Sequence, residues 1–301
     1  MKSNLHPYLR IVVNHSKTCN MHCVWCHEEG MQRTSPGPML TPVQISSFSR
    51  ILYETGVRKF KIVGGEPTLR QDLPEILSGL RQIDPLLDLS MVTNGSRLAS
   101  LSDVYKEAGI DRVNVSLFSL NPEFFRENVG PTSLMSRVVS GIDRAVSLGI
   151  LGKINHVFQD MGTLHDVLTF ARERSVRVNV LNRIPSLSSR DGMPISQLLE
   201  KLATLPIESV REEGDPYSLP VKVMKLEGGG EIEVKHLEIG AQQKFLACQT
   251  CKVKEICKEG IFALRITPIG ILQPCIVRED NSFDLASNPS VESVKNYLEG
   301  L

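Results

Sequence analysis

Seven cysteines fall into two groups: Cys19, Cys23 and Cys26 near the start, and Cys248, Cys251, Cys257 and Cys275 near the end, with none between. In a chain that opens with no signal peptide, thiols grouped this way point to metal binding rather than disulfides. The first group has the spacing C-x3-C-x2-C. Three thiolates on one short loop can hold three irons of a cubane and leave the fourth without a protein ligand, as an iron that binds a small molecule requires. Zinc is the competing metal; it usually wants four ligands and could recruit His22 or His27. The second group, Cys248-x2-Cys251-x5-Cys257 and then Gly270-x4-Cys275, offers four thiols, which suit either a second iron–sulfur cluster or a zinc ribbon.

These loops need elements to position them. From residue 8 to about 185, short β-branched runs alternate with longer amphipathic stretches. Strands are expected at 8–14, 59–63, 89–93, 112–117, 153–158 and 177–181, and helices at 42–54, 73–81, 101–108, 122–127, 134–147 and 164–173. Thr41-Pro42 reads as an N-cap with Pro at the first helical position, and Gly56, Gly109 and Gly149 stand where helices should stop. Six βα units of this kind predict an α/β chain with a partial (β/α)6, TIM-like barrel, and the first cysteine loop, directly after strand one, falls at its C-terminal mouth. The pattern fades into Ser-rich and charged sequence over 186–216. This suggests a barrel domain over 1–190 and a small β-rich module over 191–301, with hairpins around Gly228-Gly229-Gly230 and Pro268-Ile269-Gly270.

The totals exclude several classes. Of 301 residues, 41% are hydrophobic and 23% charged, and 34 basic side chains balance 34 acidic ones, so nothing points to nucleic acid as a partner. No apolar run approaches the ~20 residues that span a bilayer, so no membrane role and a cytoplasmic location are expected. No nucleophile elbow or convincing acid–base carboxylate pair is visible.

The cysteine loop resembles that of the radical S-adenosylmethionine (SAM) superfamily, and Gly64-Gly65-Glu66-Pro67 after strand two resembles its glycine-rich SAM-binding motif. The resemblance implies a 4Fe–4S cluster on Cys19, Cys23 and Cys26, with SAM filling the open iron through its amino and carboxylate groups. The reduced cluster would cleave SAM to methionine and a 5′-deoxyadenosyl radical that takes a hydrogen atom from substrate. Gly64, Gly65, Glu66 and Pro67, with Thr93 and Asn94, Ser116 and Asn155 at or near successive strand ends, are the implied SAM contacts; each also reads as a turn or strand-end hydrogen bonder.

Within the superfamily, Tyr8-Leu9-Arg10-Ile11, Cys26-His27-Glu28-Glu29-Gly30, the segment from Gly64 to Arg70, Val92-Thr93-Asn94-Gly95 and Val113-Asn114-Val115-Ser116-Leu117 are similar to the GTP 3′,8-cyclases of molybdenum-cofactor synthesis. Three departures stand against that reaction. The second auxiliary cysteine would align near Ile261 rather than Cys257, one of two paired arginines is replaced at Ala263 while Arg265 remains, and the chain ends Glu299-Gly300-Leu301 without paired glycines. Arg10, Lys59, Lys61, Arg70 and Arg265 are candidate contacts for an anionic substrate. The late cysteines resemble SPASM and twitch modules that hold a second 4Fe–4S cluster, with Cys248 either a ligand or a hydrogen donor to a substrate radical. A small polar metabolite, nucleotide or sugar derivative, is the expected substrate, for rearrangement, epimerisation or oxidation, with a flavodoxin- or ferredoxin-type electron donor. A ribosomally made peptide is the rival substrate, less favoured because no separate peptide-binding domain precedes the barrel. A zinc-binding interaction protein is the non-enzyme alternative.

Overall fold

The computed structural model describes residues 8–30, 37–183, 193–214, 221–235, 246–251, 263–275 and 280–301. Its first part runs β1 (Tyr8–Val12), α1 (Pro42–Glu54), β2 (Lys59–Val63), α2 (Leu73–Arg81), β3 (Asp88–Thr93), α3 (Leu98–Glu107), β4 (Arg112–Ser116), α4 (Pro122–Asn128), α5 (Thr132–Ser147), β5 (Leu151–Val157), α6 (Met161–Glu173) and β6 (Val178–Leu181). It continues with α7 (Ile195–Leu202), β7 (Ile207–Glu213), β8 (Val221–Leu226), β9 (Glu231–Lys235), α8 (Leu246–Gln249), β10 (Ala263–Ile266), β11 (Ile271–Gln273), β12 (Phe283–Asp284) and α9 (Val291–Glu299).

The six expected βα units form. Thr41 caps α1 through a full capping box with Gln44, and Asp160 caps α6 on the Thr163 amide. Strands β1 to β6 pair in parallel and in order, as right-handed crossovers require. The curled sheet is a half-barrel, and one side of it is covered by helices. Leu9 and Ile11, Phe60 and Ile62, Leu89 and Met91, Val113 and Val115, and Val178 and Val180 pack into the same core as the inward residues of α1 to α6. Because strand side chains alternate, Arg10, Lys61, Ser90, Ser116, Asn155 and Asn179 lie on the opposite, helix-free face.

Both expected hairpins form, as β8–β9 and β10–β11. The strands beyond residue 190 join the barrel's own sheet at both edges: β10 pairs with β1 in parallel, and β9 pairs with β6 in parallel. The 12 strands therefore run in the order β12-β11-β10-β1-β2-β3-β4-β5-β6-β9-β8-β7. The segment after residue 190 thus puts Arg265 and Glu233 on the same face as Arg10 and Asn179. No helix among the described residues is long and apolar enough to cross a membrane.

Candidate active site

The cysteine loop leaves β1 and is tied down by its backbone. His22 N donates to Val129 O (2.9 Å) and Val24 N to Asn128 O (3.0 Å) at the end of α4, and Cys26 N donates to Cys23 O (3.0 Å). Cys19 and Cys23 are half-buried and Cys26 is exposed. Burial raises all three thiols, with mutual repulsion adding at Cys19 and Cys23, and Cys23 is pushed up to about 12. They are protonated at neutral pH until a metal displaces the protons. Among the described residues no three His, Cys, Asp or Glu side chains already converge as metal ligands.

The turn after β2 fits under this loop. A Cβ on Gly65 would come within 2.3 Å of Thr18 O and 2.7 Å of both His15 O and Ser16 O, and a Cβ on Gly64 within 2.1 Å of Asn14 Oδ1. Gly65, hemmed in by backbone oxygens, therefore requires glycine, and a side chain at Gly64 would displace Asn14. The close approach that they permit in this structure is that of the chain's own segment 14–18. Asn14 bridges the two pieces, donating to Glu66 O (2.8 Å) and accepting from Gly65 N (2.9 Å), while Glu66 N donates to Thr18 O (2.8 Å).

Glu66 is 1% exposed and its carboxylate is spent internally. It accepts from Thr68 N (3.1 Å), Thr68 Oγ1 (2.6 Å), Thr93 Oγ1 (2.5 Å) and Asn94 N (2.7 Å). Burial still pushes its carboxyl above the usual range, against these four donors. Glu66 and Thr93, expected to touch SAM, lock the end of β3 to the turn after β2, and Pro67 opens the short turn Pro67–Leu69. Asn94 extends the lock to the thiols: its Nδ2 donates to Asn20 Oδ1 (2.8 Å) and lies 4.0 Å from Cys19 Sγ.

The helix-free face is polar where a closed barrel of this kind would be filled with branched apolar side chains. Arg265, Arg10 and Lys61 sit side by side in register on β10, β1 and β2. Arg10 donates to Glu29 Oε1 (2.6 Å), and Arg265 Nε lies 3.9 Å from Glu29 Oε2. Glu29 reaches them from a turn in which both Glu28 and Glu29 have φ of 52°, an uncommon left-handed conformation for residues other than glycine. Burial raises the Glu29 carboxyl, but Arg10 overrides it and holds the group down to about 2. Lys61 Nζ lies 4.9 Å from the centre of the Tyr8 ring. Burial alone would raise the Tyr8 phenol, but the charges of Arg10, Lys235, Lys61 and Arg265 bring it down to about 7. Burial, together with repulsion from Arg10, Lys235 and Lys153, brings Lys61 down to about 8.

Two of the five candidate anion contacts are placed differently. Arg70 is a clamp: its guanidinium donates to Val13 O, to Leu40 O (2.6 Å) and to Asp72 (2.6 and 3.0 Å), with 7% of the side chain exposed, so four of its five N–H donors are spent on the chain itself. Lys59 lies 3.9 Å from Asp88 Oδ2. Ser116 and Asn155 are neighbours in register on β4 and β5. Of the late thiols, Cys248 and Cys251 share one turn, Cys251 N donating to Cys248 O (3.2 Å), and Cys275 follows β11. Cys257 lies outside the described residues.

The family model of the radical SAM superfamily matches residues 13–173, which takes in the cysteine loop, the Gly64-Gly65-Glu66-Pro67 turn and the ends of β2 to β5. The chain belongs to the radical SAM superfamily. It is 32% identical over 272 residues to a probable GTP 3′,8-cyclase of Methanococcus aeolicus, covering 89% of this chain and 85% of the relative. It is 31% identical over 294 residues to the Thermococcus kodakarensis protein of the same name, covering 93% and 89%. SuiB of Streptococcus suis shares the fold, with a TM-score of 0.60 over 90% of this chain at 15% identity; the match spans 61% of SuiB. A radical SAM enzyme carries a 4Fe–4S cluster and SAM, and the donor set here suits them: Cys19, Cys23 and Cys26 lie on one loop and would supply three thiolates to such a cluster.

Sequence reasoning passed over Trp25. Its Nε1 is buried without a hydrogen-bond partner, and its ring stacks on Phe124 (6.2 Å, 28°) and meets Phe118 edge-on (4.9 Å, 75°). An aromatic panel beside the cysteines with an orphaned donor fits a flat heterocycle such as the SAM adenine. The available signal was the position of the chain's one tryptophan, between Cys23 and Cys26.

Proposed function

We propose that this radical SAM enzyme takes a hydrogen atom from a small anionic metabolite, a nucleoside phosphate, bound on the helix-free face. The observation that carries the reading is the charge of that face: Arg10, Lys61 and Arg265 in one register row, within the field of Lys153 and Lys235, with Glu29 the carboxylate set against the two arginines. Cations gathered closely enough to depress Lys61 and Tyr8 await a polyanion.

When bound, the cluster and SAM supply one-electron cleavage and hydrogen-atom abstraction. The chain's own work is placement. Cys19, Cys23 and Cys26 ligate the cluster, and the Glu66 lock holds the SAM-binding turn and the β3 end in fixed relation. Gly64, Gly65, Asn94, Ser116 and Asn155 line the SAM side. Arg10, Lys61 and Arg265 receive the phosphates, with Lys59 further along β2. Holding the reacting C–H bond in one orientation away from water is what such a site contributes to rate.

In this reading residues 1–190 carry the SAM chemistry, and 191–301 add a second 4Fe–4S cluster on Cys248, Cys251, Cys257 and Cys275, fed by a flavodoxin- or ferredoxin-type donor. GTP is the first nucleotide to try, since relatives at 31–32% identity are named probable GTP 3′,8-cyclases. The test is anaerobic reconstitution, dithionite and SAM, with 5′-deoxyadenosine measured against a panel of nucleoside triphosphates. The reading expects at least one nucleotide to stimulate turnover, and Lys61→Ala to raise its KM about tenfold or more at unchanged iron content. Turnover indifferent to every nucleotide, in wild type and variant alike, would overturn it.

A further inference from the structure

Glu29 stands against the two arginines of the helix-free face. Its side chain is 11% exposed; Oε1 accepts from Arg10 Nη2 (2.6 Å), and Oε2 lies 3.9 Å from Arg265 Nε. The contact with Arg10 is half made. A guanidinium and a carboxylate that serve only each other meet through two parallel bonds, fork to fork. Here one bond forms, while Arg10 Nε and Glu29 Oε2 are both buried without a hydrogen-bond partner. The same sheet shows the completed form: Arg112 on β4 meets Asp88 on β3 through two bonds (2.6 and 3.1 Å) from ordinary strand backbone.

Glu29 reaches its position at a conformational cost that Asp88 does not bear. Glu28 and Glu29 both have φ of 52°, and two successive residues with a Cβ are disfavoured in the left-handed region. Local bonds hold the turn in that state: Ser16 Oγ donates to Glu28 Oε2 (3.0 Å), and Glu29 N donates to His27 Nδ1 (3.1 Å). A carboxylate brought to buried cations on a disfavoured turn, with one oxygen left unsatisfied, is a counter-ion that another anion can replace. Its departure would relax the backbone and free the Arg10 fork for a bidentate partner, which phosphate is.

We propose that Glu29 is a tethered competitor: it neutralises Arg10 and Arg265 in the unliganded enzyme and gives up its place to the phosphate group of the substrate. The proposal rests on the nucleoside-phosphate reading above. The experiment is calorimetric titration of the full-length, anaerobically reconstituted protein with GTP, ATP, CTP and UTP and with inorganic tripolyphosphate. Wild type, Glu29→Gln and Arg10→Ala are compared. Glu29→Gln keeps the shape and removes the charge, and should bind the triphosphates about tenfold or more tightly than wild type at unchanged iron content, because no charge-assisted bond has to be broken first. Arg10→Ala should bind them at least about tenfold more weakly. A carboxylate that merely orients Arg10 cannot give the first result, since its loss would weaken binding or leave it unchanged. Should Glu29→Gln not fold, Glu29→Ala, which leaves room for chloride beside the arginines, takes its place; failure of both to fold would show a structural counter-ion and overturn the proposal. Equal or weaker binding by a folded variant, with Arg10→Ala impaired, overturns it and leaves the nucleotide reading standing. A wild type that binds none of these ligands, or whose binding Arg10→Ala does not impair, overturns both.

Discussion

The two faces of the parallel sheet are built from the same six strands and differ at every second residue. On the helix side, Leu9, Phe60, Ile62, Leu89, Met91 and Ile154 are fully buried in one continuous core. On the other side the alternate positions are Arg10, Lys61, Ser90, Arg112, Asn155 and Asn179, with Val12, Val63 and Val92 a small apolar patch among them. The first face explains why the chain folds. The second carries clustered, desolvated cationic charge that folding alone does not call for, which is why the proposed ligand is placed there.

Paired substitutions on adjacent residues sharpen the contrast. Phe60→Ala, on the helix face, should cost about 4 kcal/mol in denaturant unfolding, the usual penalty for emptying a buried aromatic site. Its neighbour Lys61→Ala should change stability by less than ~0.5 kcal/mol or raise it, since it relieves like-charge repulsion with Arg10. An equal loss at both positions would erase the distinction.

Next in size is the lock between the two faces' loops. Glu66→Ala leaves donors of Thr68, Thr93 and Asn94 unmatched in a buried site and should cost about 3 kcal/mol, with iron uptake on reconstitution falling as the turn loosens under the cysteine loop. Unchanged iron uptake would mean that the loop holds itself.

His156 gives the pH arm. It is fully buried on the helix side of β5, and burial lowers its imidazole to about 4, against a weaker opposing hydrogen bond to Leu117 O. Its folded value lies below its unfolded value near 6.5, so the unfolded chain binds the proton more readily. Stability is therefore full above about pH 6.5 and falls as pH drops toward 4, by ~3 kcal/mol from this group. His156→Phe should flatten that slope in unfolding measured between pH 7 and 4; an unaltered slope would place the titration elsewhere.

The smallest effect is local. In Lys61→Ala the Tyr8 phenol should titrate above its wild-type value of about 7, read by phenolate absorbance, because one of the cations that lower it is gone. No upward movement would show that Lys61 does not act on Tyr8.

Much of this was legible in the residues. Alternating periods, the Thr41 capping box and stop glycines located six βα units, because each unit buries one stripe against one core. Strand β7 was missed: residues 208–212 are all exposed and largely charged, as befits an edge strand, and such a run reads as a loop. The Ile195, Leu198, Leu199 and Leu202 stripe of α7 was available at helical spacing but followed Ser-rich sequence. Spacing found the three thiols and the glycine turn, but could not tell that Glu66 and Arg70 spend their polar atoms on the chain itself, since local sequence carries no record of partners 28 or 57 residues away.

The most direct test of the ligand face uses deuterated nucleotide. Reconstituted enzyme with dithionite, SAM and perdeuterated GTP, then the other triphosphates, should yield 5′-deoxyadenosine carrying one deuterium for at least one nucleotide, and Arg10→Ala should lose it. Unlabelled 5′-deoxyadenosine with every nucleotide would contradict the account.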